Sequence, residues 1–274
     1  MTSPSNSEIA KIIDLDRYPL HRLESQEVQD LISVGQKALE SNALYSMPGF
    51  VRATAVTVMA EEMEARVSGA CRFEQQRIAY TDDGANYTGD HPRNFEHPCA
   101  YHQVLNYQIP NDSYLRSLFY WEPLREFLRQ VMGYETFHRS ECPHLALSSK
   151  IAGSGDTDGW HFDSNDVVFS ILLQAPEKGG QFEYVPNART LEEENYDALK
   201  LLFQGGDKDV VRPAMATGDF NVFKGDLSMH RVTPVEGDRR RIVGLFCFDQ
   251  QPGTFFDQSY IEELQDQLPL TTQG

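Results

Sequence analysis

The sequence GWHFD at residues 159–163 marks the point at which helical patterns give way to strand patterns. Upstream of it, apolar residues such as Val28, Ile32 and Leu39 recur at helical spacing after Ser25, a typical N-cap. Downstream of it, short apolar or alternating runs are rich in β-forming residues. These runs cover residues 145–152, 167–174, 181–185, 220–223 and 242–248. We therefore predict packing helices followed by a β-sandwich or barrel.

The chain has 274 residues, and neither an internal repeat nor a linker divides it. We expect one domain with a helical and loop-rich support region (1–140), a β core (141–253) and a C-terminal segment (254–274). Turn signals recur between residues 77 and 111, at Asp82-Asp83-Gly84, Gly89-Asp90-His91-Pro92 and His97-Pro98, so this stretch is predicted to be a long irregular loop. A helix is expected directly after Thr190, because Thr190 and Glu193 have the spacing of a capping box.

The formal net charge is −17, from 24 basic and 41 acidic residues. Such a surface repels phosphate, which argues against nucleic acid or an anionic membrane as a partner. The four cysteines have no paired spacing, which is typical of reduced thiols in a cytosolic protein. Neither a secretory signal nor an apolar run of membrane length is found, so we expect a cytoplasmic protein.

Three residues of the strand-rich half have the chemistry of a metal centre. His161 and Asp163 are two positions apart, so in an extended segment both side chains project from the same face. His230 follows 67 residues after Asp163 and could reach the same ion from a neighbouring strand. Two imidazoles and one carboxylate form the facial triad of non-haem Fe(II) oxygenases, which leaves positions open for a co-substrate and O₂.

The His-x-Asp spacing is weak evidence when taken alone. With eight histidines and twenty aspartates in the chain, roughly 0.6 matches are expected by chance. The context adds weight, because Arg239, Arg240 and Arg241 open the apolar run 242–246. Strand alternation places Arg239 and Arg241 on one face, and a guanidinium that enters a barrel requires an anion such as a carboxylate.

The sequence also resembles a known superfamily through four blocks that follow one another in order. They are WHFD at 160–163, LLQAPEKGGQFEYVP at 172–186, GD at 218–219 and HRVTPVEG at 230–237. These blocks resemble the Fe(II)/2-oxoglutarate-dependent oxygenases and, more narrowly, the group that contains hydroxylases and halogenases of free amino acids. The resemblance is dense over residues 138–253 and thin before them.

This resemblance implies an α+β fold with a double-stranded β-helix, a jelly-roll or cupin-like core, behind N-terminal packing helices. It implies that His161, Asp163 and His230 bind Fe(II) and take part in catalysis. The co-substrates would be 2-oxoglutarate and O₂. An arginine about ten residues after the second histidine would bind the distal carboxylate of 2-oxoglutarate, and Arg241 is the first choice with Arg239 in reserve.

The resemblance also bears on the reaction. Halogenases of this group carry a small residue where the carboxylate ligand would be, which leaves room for a halide on the metal. Asp163 occupies that position here, so we expect hydroxylation of a small amino acid-like substrate, with desaturation or oxidative ring closure left open.

The candidate substrate contacts are charged or aromatic and lie near the triad or in the predicted loop. They are Arg77 and Arg93 for a carboxylate, Asp156, Asp158 or Asp166 for an amine, and Trp160 as a pocket wall. Each charged residue also fits an ordinary surface position, and Trp160 also fits a packing role.

Other interpretations stay open at this point. His91, His97, Cys99 and His102 have the residue types of a zinc site but lack a regular paired spacing. The enzyme could instead act on a carrier-bound or peptide-bound substrate, or the fold could be a metal- or effector-binding module without turnover. An intact triad argues against such a module. The oligomeric state cannot be inferred from this sequence.

Overall fold

Helices and strands alternate in an α+β arrangement in the computed structural model, which describes residues 2–80, 87–256 and 258–267. The helices are α1 Asn6–Ile9, α2 Gln26–Asn42, α3 Ala53–Glu64, α4 Tyr114–Tyr120, α5 Glu122–Met132, α6 Tyr196–Phe203 and α7 Gln258–Asp266. The strands are β1 Leu44–Met47, β2 Cys71–Ile78, β3 Glu96–Val104, β4 His138–Arg139, β5 Leu147–Ala152, β6 Thr157–His161, β7 Val168–Gln174, β8 Lys178–Gly179, β9 Phe182–Val185, β10 Phe220–Phe223, β11 Met229–Val232, β12 Val235–Glu236, β13 Arg241–Phe246 and β14 Phe248–Asp249.

Most of the described strands form one antiparallel sheet that curls over on itself. Its order is β1-β10-β7-β13-β5-β3-β6-β11-β9, and β2 adds to it by pairing with β3. The turn in the sheet lies at β3, which bonds β5 over one part of its length and β6 over another. This connection places the shorter layer, strands β6, β11 and β9, over the longer layer, strands β1, β10, β7, β13 and β5. Side chains from both layers can therefore meet in the space between them.

The N-terminal helices pack on the long layer. Ser25 begins α2 as predicted, since its Oγ accepts the N–H of Val28 at 3.4 Å. Helices α2, α3 and α4 contact β1, β7 and β5, and buried aromatic rings such as Phe119, Phe169 and Phe220 fill the space between the helices and the sheet.

No helix of the described residues is long and apolar enough to cross a membrane. The division of the chain at residues 140 and 253 stays a prediction.

The prediction of one long loop over residues 77–111 is wrong, because β2 extends to Ile78 and β3 covers Glu96–Val104. Side chains of β3 alternate between buried and more exposed positions. The alternation was missed because two of the buried residues, His97 and Gln103, are polar. The expected turn at residues 82–84 lies outside the described residues, whereas Gly89 has the positive φ of a turn, +67°.

The expected start of a helix directly after Thr190 is also wrong. The Thr190 Oγ1 does accept the N–H of Glu193, at 3.0 Å. This bond closes a turn instead of a helix, because Asn195 has a left-handed conformation with φ of +51° that helical backbone does not allow. Helix α6 therefore begins at Tyr196.

Strands β3 and β6 approach each other closely at Gly159. A Cβ atom at this position would lie 2.6 Å from the Cβ of His97 and 2.7 Å from the carbonyl oxygen of Pro98. Both atoms belong to, or are attached directly to, the backbone of β3, so they cannot move aside cheaply. Glycine at 159 therefore allows the two layers to join where His161 is positioned.

We predict that Gly159→Ala lowers the free energy of unfolding by about 1–3 kcal/mol, the usual cost of forcing extra volume into a packed interior. Chemical denaturation measures this change. Gly153→Ala is the matched control in the neighbouring turn, since its new Cβ would have no contact closer than 3.7 Å. An unchanged stability in Gly159→Ala, or an equal loss in both variants, would contradict the close approach of β3 and β6.

Candidate metal centre

His161, Asp163 and His230 lie together at the mouth of the curled sheet. His161 ends β6, Asp163 follows two residues later, and His230 lies on β11 in direct register with His161. Asp163 is 3.7 Å from the Nε2 of His161 through Oδ1 and 3.2 Å from the Nε2 of His230 through Oδ2. One ligand atom from each residue lies within 4.8 Å of the others, which is close enough for one metal ion to bind all three.

Both imidazoles are fixed in the tautomer that suits a metal ligand. The Nδ1 of His161 is 2.7 Å from the carbonyl oxygen of Gly159, and the Nδ1 of His230 is 2.9 Å from that of Ser228. A carbonyl oxygen only accepts, so each Nδ1 carries the proton and each Nε2 offers its lone pair. Burial, together with the positive charge of Arg77, holds the pKa of His161 well below its usual value and keeps the ring neutral.

The Asp163 carboxylate is better placed to bind a cation than to bind another described group of the protein. Its Oδ2 is buried and accepts no hydrogen bond from a described residue. An anionic oxygen that faces two imidazole lone pairs is unfavourable unless a cation lies between them. The donor set of two nitrogens and one carboxylate oxygen suits Fe(II).

The three arginines before β13 have different environments. Arg239 is exposed, and Arg240 forms an ion pair with Glu64. Arg241 is half-buried at the start of β13, and its side chain makes no hydrogen bond or ion pair with any described residue. Burial lowers the pKa of Arg241 to about 10, and the more distant charge of Asp158 opposes this shift. A desolvated guanidinium without a paired anion is the feature expected of an anion-binding residue.

A cavity of about 860 Å³ opens beside the triad. His161 and Asp163 line it, together with Arg77 from β2, Lys150 from β5 and Tyr260 from α7. Its size is in the range of pockets that bind small molecules. The C-terminal helix therefore forms one wall of the space next to the candidate metal ligands.

Asp158, Arg77 and Lys150 form a cluster of charged side chains beside the cavity, and the two cations also line it. Asp158 binds Arg77 at 2.5 Å and Lys150 at 2.7 Å. Burial opposes ionisation of Asp158, but these two cations hold its pKa well below the usual value. Lys150 was not recognised from the sequence, although a lysine within the apolar run of residues 145–152 was an available signal. The cluster has two positive charges and one negative charge.

Several sequence candidates do not line this cavity, namely Arg93, Asp156, Asp158, Trp160, Arg239 and Arg241. Asp156 forms an ion pair with Arg72 at 2.8 Å. Arg93 stacks on Tyr80 and forms an ion pair with Glu194 near α6. Trp160 is buried in a small second core and lies under the guanidinium of Arg231. Because neighbouring strand residues point to opposite faces, a Trp160 next to His161 faces away from the triad. Neither Arg93 nor Trp160 lines the cavity.

The structure does not bring the alternative zinc ligands together. His91 stacks on Tyr87, whereas His97 packs on Phe203. Within residues 2–80, 87–256 and 258–267, the group His161, Asp163 and His230 is the one cluster that could hold a metal ion.

His97 makes the stability of the fold depend on pH. Burial and the charges of Arg77 and Arg231 lower its pKa from 6.5 to about 4. Between these two pH values, the unfolded chain binds a proton at His97 that the folded chain does not bind. The stability that neutral His97 contributes is therefore present above pH 6.5 and falls as the pH drops towards 4.

We predict that His97→Gln reduces the loss of unfolding free energy between pH 7 and pH 5, because glutamine takes up no proton in the unfolded chain. Chemical denaturation at the two pH values measures this difference for the metal-free protein. His21→Gln controls for the loss of an exposed imidazole. An equal pH dependence in wild type and His97→Gln would contradict the assignment.

The fold is shared with several solved structures. They include SnoN, a non-heme alpha ketoglutarate dependent epimerase from nogalamycin biosynthesis, at a TM-score of 0.57 and 12% identity, with 90% of this chain and 92% of that chain covered. SnoK, a carbocyclase from the same biosynthesis, has a TM-score of 0.56 and 13% identity over 89% of this chain and 94% of that chain. HygX from Streptomyces hygroscopicus, solved with nickel and 2-oxoglutarate, has a TM-score of 0.51 and 13% identity over 83% and 88%.

These structures share the fold of this chain, and its triad has the residue types of a non-haem iron site. The predicted α+β fold with a double-stranded β-helix core is thereby confirmed. Residues 28–257 match the family model of halogenase D, and the chain belongs to that family. A search of curated proteins gives no match.

Proposed function

We propose that this enzyme hydroxylates an unactivated C–H bond of a free amino acid or a similar small molecule. Fe(II) would be held by His161, Asp163 and His230, and 2-oxoglutarate by Arg241. The observation that carries this proposal is the pairing of an unsatisfied, buried Asp163 oxygen with two imidazoles whose Nε2 atoms face it.

The triad would hold Fe(II) with three protein ligands. A site of this donor set would leave other positions of the ion for the reactants. When bound, the iron and its co-substrate supply the oxidising power, as 2-oxoglutarate and O₂ are converted to succinate and CO₂. The neutral imidazoles and the single carboxylate leave the ion with a net positive charge that attracts anionic 2-oxoglutarate.

Arg241 is suited to the distal carboxylate of 2-oxoglutarate. A pKa of about 10 keeps its guanidinium charged at neutral pH. Its planar donor pair can bind a carboxylate by two parallel hydrogen bonds. Arg239 is exposed and Arg240 is paired, so Arg241 is the residue of this run that we propose for this role.

The charge cluster supports a substrate with an anionic group. Arg77 and Lys150 line the cavity and share one carboxylate, Asp158, so this cluster of three residues has one positive charge in excess, although other carboxylates also line the cavity. A substrate carboxylate would balance this charge. Asp158 is already bound by two cations, so Asp166, which also lines the cavity, is the better candidate for a substrate amine.

Halogenation is the second candidate reaction, because the matching family model carries the name of a halogenase. Halide binding requires an open position where a carboxylate ligand would be. In this chain Asp163 fills that position, with its backbone N–H bound to the carbonyl of Gly225 at 3.0 Å. The geometry therefore favours transfer of oxygen over transfer of halogen.

We predict that the anaerobically reconstituted enzyme releases succinate from 2-oxoglutarate after O₂ is added, and that one amino acid accelerates this release. His230→Ala should abolish it, because two ligands hold Fe(II) poorly. Product mass then identifies the reaction, since hydroxylation adds one oxygen, desaturation or ring closure removes two hydrogens, and halogenation replaces a hydrogen.

Two arginine variants refine the same assay. Arg241→Gln should raise the KM for 2-oxoglutarate by roughly 10-fold or more, as expected for a lost charged hydrogen-bond pair, whereas the exposed Arg239→Gln should not. Succinate release that no amino acid accelerates would refute the substrate class. No succinate release, even with cell extract as a source of substrates, would refute the proposed function.

A further inference from the structure

Gly225 lies beside the Asp163 carboxylate, in the loop between β10 and β11. A Cβ atom built on Gly225 would lie 1.8 Å from Oδ2, 2.7 Å from Cγ and 3.0 Å from Cβ of Asp163. Such contacts are far shorter than van der Waals separation, so a side chain at 225 and the observed carboxylate cannot occupy this space together.

The loop that carries Gly225 is held at both ends and in its middle. Strand β10 pairs with β1 and β7, and β11 pairs with β6 and β9. The carbonyl of Gly225 also accepts the backbone N–H of Asp163 at 3.0 Å. The loop therefore cannot retreat from Asp163 without breaking backbone hydrogen bonds of the site.

The Asp163 side chain has more freedom than the loop. Its side chain keeps 22% of its accessible surface, and its Oδ2 has no hydrogen-bond donor among the described residues to hold it. When a methyl group is added at 225, rotation of the Asp163 side chain about χ1 moves Oδ2 and Cγ clear of it, and a shift of a few tenths of an ångström relieves the remaining 3.0 Å contact with Cβ. The carboxylate would then turn away from the two imidazoles.

We infer that Gly225 is a positioning residue for the metal-binding carboxylate, and this inference rests on the proposed function of the triad. Because glycine has no side chain, the space beside position 225 can hold one Asp163 oxygen. Position 225 thus decides whether the centre has three protein ligands or two. A residue larger than glycine leaves both histidines in place and removes the carboxylate from the metal.

Anaerobic titration with Ni(II), followed by calorimetry, tests this inference without turnover. Ni(II) binds nitrogen and oxygen sites more tightly than Fe(II) does, so a site of two histidines stays measurable. We expect Gly225→Ala to weaken binding by about 10–100-fold, the range typical for residues that support metal ligands. Gly69→Ala is the control, because its Cβ would meet no atom within 4 Å.

A double-mutant cycle separates positioning of the carboxylate from general damage. In the Asp163→Gly background the oxygen is absent, so Gly225→Ala should change Ni(II) affinity by less than about threefold, as for independent sites. The thermal unfolding temperature of the metal-free Gly225→Ala protein should stay close to that of the wild type.

Two results would overturn the positioning role. One is wild-type Ni(II) affinity in Gly225→Ala, and the other is an undiminished loss when Asp163→Gly is already present. His230→Ala, titrated beside these variants, tests the triad itself. If His230→Ala binds Ni(II) as the wild type does, the metal site of the proposed function is wrong, which is a separate failure from that of Gly225.

Discussion

The antiparallel pairing of β6 with β11 is the constraint on which the site depends. It places His230 directly opposite His161. The carbonyl two residues before each histidine, from Gly159 in β6 or from Ser228 just before β11, accepts the Nδ1 proton. The same backbone register therefore sets the distance between the rings and the tautomer of each ring. A slip of one residue would turn one ring to the opposite face of the layer.

Partly buried positive charge near the triad is the second property that the fold provides. The net charge of the chain is −17, and the cavity beside the triad is lined by the cations Arg77 and Lys150 together with carboxylates such as Asp163 and Asp166. Arg241 has no paired anion among the described residues, and Arg77 and Lys150 share Asp158. Burial of these cations costs free energy, which anionic reactants would offset. The acidic surface therefore says little about the charge that the site prefers.

The sequence predicted the parts of the site that depend on short spacing. The two-residue separation of His161 and Asp163 predicted that both side chains face one space, and they do lie together with His230. The role of Arg241 stays a prediction that the resemblance supplied. Contacts between distant segments were not predictable. The place of Lys150 within an apolar run could have indicated burial, but not that Asp158 is its partner. Gly225 is an ordinary loop glycine until Asp163 is known to lie against it. The strand β3 was missed for the same reason, because its polar side chains are buried only through long-range pairing.

A crystal structure of the protein with Mn(II) and 2-oxoglutarate, grown without O₂, tests the central claim most directly. We predict the metal bonded to the Nε2 atoms of His161 and His230 and to an oxygen of Asp163. The distal carboxylate of 2-oxoglutarate should lie on the guanidinium of Arg241. A metal bound elsewhere, or a distal carboxylate held by Arg77 and Lys150 instead, would contradict the account of this site.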